Sequence, residues 1–177
     1  LDISKWKRPS PETIPAAAKA AGLYMICTMS KHAAEKKGCS DALFMDYRGY
    51  VAEATGSNVF FVKDGEIHTP LADAFLNGIT RQTIIQMCKD QGMVVHERHI
   101  LPEEVSEFQE CFLTGSAAEV TPVAQIGDAV RVLQDGDRLP VVCTGGLGPF
   151  YATALAADWP VVPARGTGVD GALDMAR

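Results

Sequence analysis

The sequence lacks any apolar run that approaches the roughly 20 residues needed to span a bilayer. Its first residues, LDISKWKRPSPETIP, show no basic-then-apolar signal pattern. The 16 lysines and arginines are scattered and the net charge is −6, so the chain has no concentrated cationic face for a phosphate backbone. These absences argue against a membrane and against nucleic acid as partners.

Paired cysteine motifs are also missing. The five cysteines are odd in number and far apart, with no C-x-x-C. Neither a disulfide framework nor a zinc site is therefore predicted, and a reducing cytoplasm is the expected location. His96 and His99 lie three positions apart on a predicted strand and would point to opposite faces. We expect no bound metal.

With 177 residues, 47% of them apolar and 21% charged, the composition is that of one globular domain. The chain begins without Met and resembles mid-protein sequence, so we expect sequence upstream of it. After residue 126 the chain is rich in Gly, Pro, Ala and Val, with one weak helical pattern at Phe150–Ala157. We therefore predict a folded domain over residues 1–126 and a divergent, poorly ordered tail over residues 127–177.

Periodicity within residues 1–126 predicts a mixture of helices and strands. Asp64-Gly65 predicts a tight β-hairpin, and Gly38 and Gly92 are expected to end helices. Helices are predicted at Ala17–Lys37 and Thr80–Gln91, a helical turn at Pro102–Glu107, and strands at Ala42–Asp46, Tyr50–Glu53, Asn58–Lys63, Glu66–Thr69, Val94–Ile100 and Cys111–Thr114. This irregular order indicates an α+β domain with a partly antiparallel sheet.

The stretch AAAKAAGLY contains the first candidate for chemistry. Lys19 is flanked by small residues at the start of the predicted helix. A tight, weakly polar setting disfavours the ammonium form of a lysine, which suits Schiff-base chemistry. Taken alone, a lysine of this kind is more often a solvated surface charge.

Two more stretches contain candidates. Glu53, on a strand before a loop of small residues, can point into a cavity, or lie at a solvent-facing strand end. Thr80 begins a predicted helix whose free amides suit a phosphate, or it only caps that helix. The turn at Gly115-Ser116-Ala117-Ala118 can bind an anion through its backbone N–H groups, although many ordinary turns look the same.

Together these stretches resemble the class IV aminotransferases, which are fold-type IV pyridoxal-phosphate enzymes. The signature of that family runs from a Glu through an Asn-aliphatic-aromatic step to a Thr, and then to a Gly-aliphatic-x-basic ending. Its positions are filled here by Glu53, Thr55, Asn58, Val59, Phe60, Ile67, Thr69, Leu76, Gly78, Ile79 and Arg81. The resemblance covers Ile3 to Ile126, and a pattern of this length is specific.

The resemblance implies both a fold and a set of roles. Residues 1–126 would form the C-terminal large domain of the D-amino-acid-aminotransferase-like fold, a partly antiparallel sheet or barrel with flanking helices that holds pyridoxal 5′-phosphate. Lys19 would form the internal aldimine, Tyr24 would hydrogen-bond the ring phenolate oxygen, and Glu53 would pair with the pyridine nitrogen. Ile79, Thr80 and Ser116 would hold the phosphate, and the backbone of Ala117 and Ala118 would face the substrate carboxylate.

The stretches AAAKAAGLY and TGSAAEVTP are most similar to branched-chain aminotransferases. The implied reaction is amino transfer from leucine, isoleucine or valine to 2-oxoglutarate, with Lys19 as base and acid. The family is typically at least dimeric, so a homo-oligomer is expected. A smaller N-terminal domain of the family, which supplies an arginine to the cofactor phosphate, precedes the part that this chain resembles.

Three alternatives remain open. The chain could be a catalytically inactive fragment, or a non-enzymatic binding module that reuses the phosphate seat. It could also be another class IV member, because D-amino-acid aminotransferases and aminodeoxychorismate lyases share the signature. Those two groups usually lack the tyrosine that corresponds to Tyr24.

Overall fold

The computed structural model describes residues 1–126 and, beyond them, the backbone of two short strands, β9 (Val141–Val142) and β10 (Val161–Val162), which pair in parallel. The helical pattern at Phe150–Ala157 lies outside the described residues. The prediction of poor order for residues 127–177 also falls outside the described residues, except at β9 and β10.

Residues 1–126 form a mixed α+β domain, as the sequence predicts. In chain order its elements are β1 (Asp2–Arg8), a 3-10 turn (Ala21–Leu23), α1 (Tyr24–Glu35), β2 (Ala42–Asp46), β3 (Val51–Ala54), β4 (Asn58–Lys63), β5 (Glu66–Pro70), α2 (Ile79–Asp90), β6 (Val95–Arg98), a 3-10 turn (Pro102–Glu107), β7 (Glu110–Gly115) and β8 (Glu119–Pro122). The predicted strands at Ala42–Asp46 and Asn58–Lys63 have the observed bounds, and the other predicted strands differ by one or two residues at their ends.

The strands β1 to β8 form one sheet that branches at β4. Strand β4 pairs in antiparallel fashion with β3, β5 and β7, and β7 continues into β8. The pairs β1–β2 and β5–β6 are parallel. The sheet is therefore only partly antiparallel, as predicted, and β4 lies at its centre.

The apolar residues of β4 are buried on both faces of the sheet. Val59 and Phe61 belong to one hydrophobic cluster, while Phe60 and Val62 belong to a second cluster under α2. Side chains alternate along a strand, so the run Val59–Val62 fills both clusters in turn. This packing makes β4 a rigid support for residues at its ends.

A glycine shortly after each helix ends it, as predicted, but α1 begins later than predicted. Gly38 and Gly92 follow α1 and α2 with φ of 81° and 76°, a left-handed conformation that glycine adopts without strain. The predicted start at Ala17 is wrong, because α1 begins at Tyr24 after a 3-10 turn. Alanine favours a helix, yet the segment before Tyr24 lies in turns and bends, where Ala18 N–H donates to Pro15 O and Leu23 N–H donates to Ala20 O.

Helix α2 is held at its start by a buried arginine. Arg81 is 1% exposed, and its guanidinium donates hydrogen bonds to Pro70 O, to Asn77 Oδ1 and to Glu97 Oε2. These bonds tie the first turn of α2 to β5, to β6 and to the loop that precedes the helix. The N-terminus of α2 consequently has a fixed position against the sheet.

Two strands, β1 and β8, were not predicted. Strand β1 pairs with β2, far along the chain, and its polar sequence, DISKWKR, has little apolar periodicity. Among the residues that the structure describes, no helix is both long and apolar enough to cross a membrane.

We expect Gly65→Ala to lower the free energy of unfolding by about 1–2 kcal/mol. Gly65 has a φ of 78° in the hairpin turn, and an added Cβ would meet no atom within 4 Å, so the cost is one of backbone conformation alone. Urea unfolding measures it. Gly22→Ala is the matched control, because Gly22 has equal space without a positive φ; equal stability of the two variants would contradict the prediction.

Candidate active site

One pocket of about 230 Å³ opens where several elements end. It lies between the start of α1, the β3–β4 turn, the start of α2 and the end of β7. Six of the residues singled out from the sequence line it, namely Lys19, Tyr24, Glu53, Ile79, Thr80 and Ser116. Residues that are far apart in the chain thus meet around one cavity.

Glu53 lies on β3 at the inner part of this pocket and is 9% exposed. The alternative of a solvent-facing strand end is therefore wrong. Burial raises the pKa of the Glu53 carboxyl to about 7, and the nearby Arg8 guanidinium partly opposes that rise. The charged form of this acid is poorly solvated, so a cationic partner would stabilise it.

Arg8 is the cation that the structure puts beside this acid. The two side chains are 5% and 11% exposed, and Arg8 Nε lies 3.1 Å from Glu53 Oε1. This is an ion-pair distance, yet the Nε–H lacks a well-aligned hydrogen-bond acceptor among the described residues. Arg8 Nη1 contacts Leu23 O at 3.4 Å and Cys27 Sγ at 3.6 Å. Arg8 thus offsets the burial of the carboxylate without the geometry of a bidentate pair.

The start of α2 presents uncapped amides at the rim of the pocket. Gly78 is the N-cap and no side chain caps the helix, so the alternative in which Thr80 only caps it is wrong. The first turn of α2 contains no acidic side chain, and the Thr80 hydroxyl has no hydrogen-bond partner among residues 1–126. A helix N-terminus of this kind attracts anions.

Lys19 and Tyr24 lie at the pocket mouth. Lys19 is exposed, and its amine has no hydrogen-bond or ion-pair partner within the described part of the chain. The tight, weakly polar enclosure expected around Lys19 is not found, because Lys19 is exposed between a turn at residues 16–18 and the 3-10 turn at Ala21–Leu23, among residues with short side chains. Tyr24, the first residue of α1, is 39% exposed.

The turn that joins β7 to β8 contributes unequally to the site. Ser116 is exposed and lines the pocket, whereas Ala117 and Ala118, next in the chain, do not line it. Thr114, at the end of β7, is fully buried and lines the pocket, and its hydroxyl has no hydrogen-bond partner in the described part of the chain. A buried polar atom without a partner is costly, which indicates that a polar ligand belongs here.

The comparisons with known proteins agree with this geometry. The family model described as Amino-transferase class IV matches residues 1–126. The chain belongs to the class IV aminotransferases.

Relatives of this class IV aminotransferase chain are named branched-chain-amino-acid aminotransferases. The "Probable branched-chain-amino-acid aminotransferase" of Rickettsia conorii is 46% identical over 126 residues, which are 71% of this chain and 43% of the relative. The Escherichia coli (strain K12) "Branched-chain-amino-acid aminotransferase" is 39% identical over 131 residues, 73% of this chain and 42% of the relative. The chain thus spans less than half the length of these curated relatives.

Solved structures support the same fold. An aminotransferase from Brucella abortus, bound to the cofactor PLP, is 39% identical with a TM-score of 0.70, over 77% of this chain and 48% of that one. The branched-chain amino acid aminotransferase of Escherichia coli is 34% identical with a TM-score of 0.72, over 90% of this chain and 50% of that one. The predicted class IV fold is confirmed.

Among the pocket residues that the sequence of this class IV aminotransferase does not reveal, Arg8, Asn58 and Thr114 matter most for the site. Arg8 is one of the scattered basic residues, Asn58 has no assigned role within the signature, and Thr114 is the last residue of a predicted strand. A polar residue within a strand of apolar neighbours, as Asn58 and Thr114 are, was the available signal for two of them. Arg8 gave none, because its partner is distant in the chain.

One histidine cluster outside the pocket could suggest a metal site. Ligand atoms of Glu66, His68 and His96 lie within 4.8 Å of one another. However, the two imidazole rings are stacked at 4.7 Å, so their in-plane lone pairs do not converge on one ion, and Arg98 Nε donates to His68 Nδ1 at 3.2 Å. His99 contacts Tyr50 and Asp73 instead. The cluster has the geometry of a polar surface contact.

The buried Glu53 carboxyl predicts a pH-dependent stability. Its pKa in the folded chain, about 7, lies above its usual 4.5, so its contribution is fully present below about pH 4.5 and is lost as the pH rises through 7. We expect the free energy of unfolding of the chain, measured without cofactor relative to that of Glu53→Gln, to fall by roughly 3 kcal/mol across this range. Parallel pH profiles would rule out the burial effect.

Proposed function

We propose that the chain carries the cofactor site of a pyridoxal-phosphate-dependent aminotransferase that acts on branched-chain amino acids. The observation that carries this proposal is one pocket with three kinds of lining group: an amine that has no partner within the described residues (Lys19), a buried acid (Glu53), and helix amides that no described side chain caps (Ile79 and Thr80). These are the three groups that an aldehyde, a pyridine nitrogen and a phosphate ester require.

The residues of the pocket fit pyridoxal 5′-phosphate. Lys19 would hold the aldehyde carbon, Glu53 would face the pyridine nitrogen, and Tyr24 would donate to the phenolate oxygen. The amides of Ile79 and Thr80, with the Thr80 and Ser116 hydroxyls, would hold the phosphate. The unpartnered Thr114 hydroxyl supports the fit, because it is a buried donor that faces no acceptor within residues 1–126. When bound, the cofactor supplies an electron sink for the bonds at the amino acid Cα.

The chain's own residues would have separate roles in the amino transfer. Lys19 Nζ would take the proton from the amino acid Cα and return it later in the transfer, as base and then acid. Glu53, whose ionised form Arg8 favours, would hold a proton on the ring nitrogen, because a nearby carboxylate favours the charged form of its partner. The backbone of Ala117 and Ala118, which follow Ser116 in the chain but do not line the pocket, would bind the substrate carboxylate.

The substrate class rests on similarity rather than on the pocket. The relatives named above act by their names on branched-chain amino acids, and the stretches around Lys19 and Ser116 are the most similar to that group. We propose leucine, isoleucine and valine as amino donors and 2-oxoglutarate as acceptor. A homo-oligomeric state and a cytoplasmic location remain predictions from the family and from the composition.

An inactive fragment, a binding module and another class IV enzyme remain the competing proposals. An inactive fragment would retain the pocket but would not transfer amino groups. A binding module would need only the helix amides and a cation such as Lys19, and the buried Glu53 disfavours it, because a carboxylate does not serve phosphate binding. Another class IV enzyme would show amino transfer or lyase activity with different substrates.

We expect Lys19→Ala to abolish covalent capture of the cofactor. The chain is incubated with one equivalent of pyridoxal phosphate and reduced with borohydride, and mass spectrometry of peptides locates the adduct. Lys31→Ala, which changes an exposed lysine of α1 away from the pocket, should keep an adduct at Lys19. An adduct spread evenly over surface lysines would contradict the assignment. An adduct at Lys19 without transfer from leucine to 2-oxoglutarate would identify an inactive fragment.

We expect Glu53→Gln to retain the adduct at Lys19 but to slow amino transfer by about 100-fold or more, because a neutral amide cannot stabilise a protonated ring nitrogen. The visible absorbance of the bound cofactor should change as well, since it reports the protonation of the ring. Single-turnover kinetics with leucine measures the first effect. A rate within about twofold of the unmodified chain would show that another group protonates the ring.

A further inference from the structure

Asn58 lies between the two ends of the pocket, on the strand at which the sheet branches. It is the first residue of β4, and it pairs with Glu53 of β3 on one side and with Thr114 of β7 on the other. These three polar residues therefore form one cross-strand row beside the cavity that all of them line. Asn58 is 5% exposed, so its amide has to find its partners within the protein.

The contacts of the Asn58 side chain reach both ends of the site. Its Nδ2 donates to Leu76 O at 3.0 Å and, more weakly, to Glu53 Oε2 at 3.4 Å. Its Oδ1 accepts from the backbone N–H of Gly78 at 3.2 Å. The chemistry of the partners fixes this orientation, because a backbone N–H only donates, whereas a carbonyl and a carboxylate only accept.

Gly78 shows how closely the start of α2 approaches this amide. A Cβ built on Gly78 would lie 2.5 Å from Asn58 Oδ1, which no side chain tolerates without displacement. The φ of Gly78 is an ordinary −62°, so backbone conformation does not require glycine here. Glycine is needed because the N-cap of α2 sits directly on the Asn58 side chain.

We propose that Asn58 is a positioning residue that sets the distance between the acid and the phosphate seat of the pocket. Through one planar amide, it orients the Glu53 carboxylate and holds the first amides of α2 against β4. The inference rests on the proposed function, since the acid and the helix amides would face opposite ends of the same cofactor. Asn58 itself touches neither reacting atoms nor the transferred proton.

The first readout is selectivity for the phosphate ester. We expect the chain to bind pyridoxal 5′-phosphate at least 10-fold more tightly than pyridoxal, and Asn58→Ala to lose most of this ratio, as Thr80→Val should. Asn58→Ala should also slow amino transfer, as Glu53→Gln should. Val59→Ala is the matched control, because Val59 is the next residue of β4 and is fully buried in the first hydrophobic cluster. It should lower stability and leave the ratio unchanged.

The second readout needs no cofactor. Hydrogen exchange of the Gly78 amide should be at least 10-fold faster in Asn58→Ala, because the acceptor of that N–H is gone. Asn58→Asp provides a second variant if Asn58→Ala folds poorly. It keeps an oxygen for Gly78 and puts a like charge beside Glu53, so it should retain slow exchange at Gly78 and still lose amino transfer.

The outcomes separate the two proposals. If the chain prefers the phosphate ester and Asn58→Ala keeps the full preference, the role of Asn58 is overturned and the proposed function stands. If the chain itself shows no preference, the proposed phosphate site is wrong, and the exchange rate of the Gly78 amide then tests the role of Asn58. Unchanged exchange in Asn58→Ala would then overturn the coupling, and faster exchange would support it as a structural contact.

Discussion

The site depends on one costly arrangement, a carboxylate buried in the middle of a sheet. An ionised carboxyl without water is unstable unless charge and hydrogen bonds compensate it. Arg8 supplies the charge at 3.1 Å, and Asn58 supplies a weak donor at 3.4 Å. Neither contact is optimal, so the acid stays under-compensated. A protonated ring nitrogen facing Glu53 would remove this deficit, and the deficit therefore favours binding of such a ring.

The fold brings these groups together through the ends of its elements. Lys19 and Tyr24 come from the segment at the start of α1, Glu53 and Asn58 from the adjacent ends of β3 and β4, and Thr80 from the start of α2. Strand ends and helix N-termini leave backbone and side-chain groups free to face a ligand. The central strand β4 is packed on both faces by hydrophobic clusters. These clusters hold the pocket residues in place, and the pocket residues themselves are not part of them.

Local signals were sufficient for most of the fold, and they failed where a contact is distant in the chain. Asp64-Gly65 forms the predicted hairpin, with φ of 53° and 78°, because turn conformation is decided by the residues in the turn. Strand β1 was missed because it is stabilised by pairing with β2. Arg8 was not predicted for the same reason, because its role depends on its contact with Glu53, which is distant in the chain. Local patterns pointed to Lys19, Glu53 and Thr80 but left each with an ordinary alternative, and the resemblance to the class IV aminotransferases supplied their roles.

The depth of each group in the pocket has a chemical consequence. Glu53 and Arg8 are almost fully buried, whereas Lys19 and Ile79 are exposed, the latter at 82%. In the proposed function, a cofactor that spans this gradient would have one end in a dry environment, where an ion pair is strong, and its reactive carbon near solvent. The interior would then provide binding strength, and substrates would exchange at the mouth. A pocket built for phosphate alone would have no reason to bury an acid at its inner end.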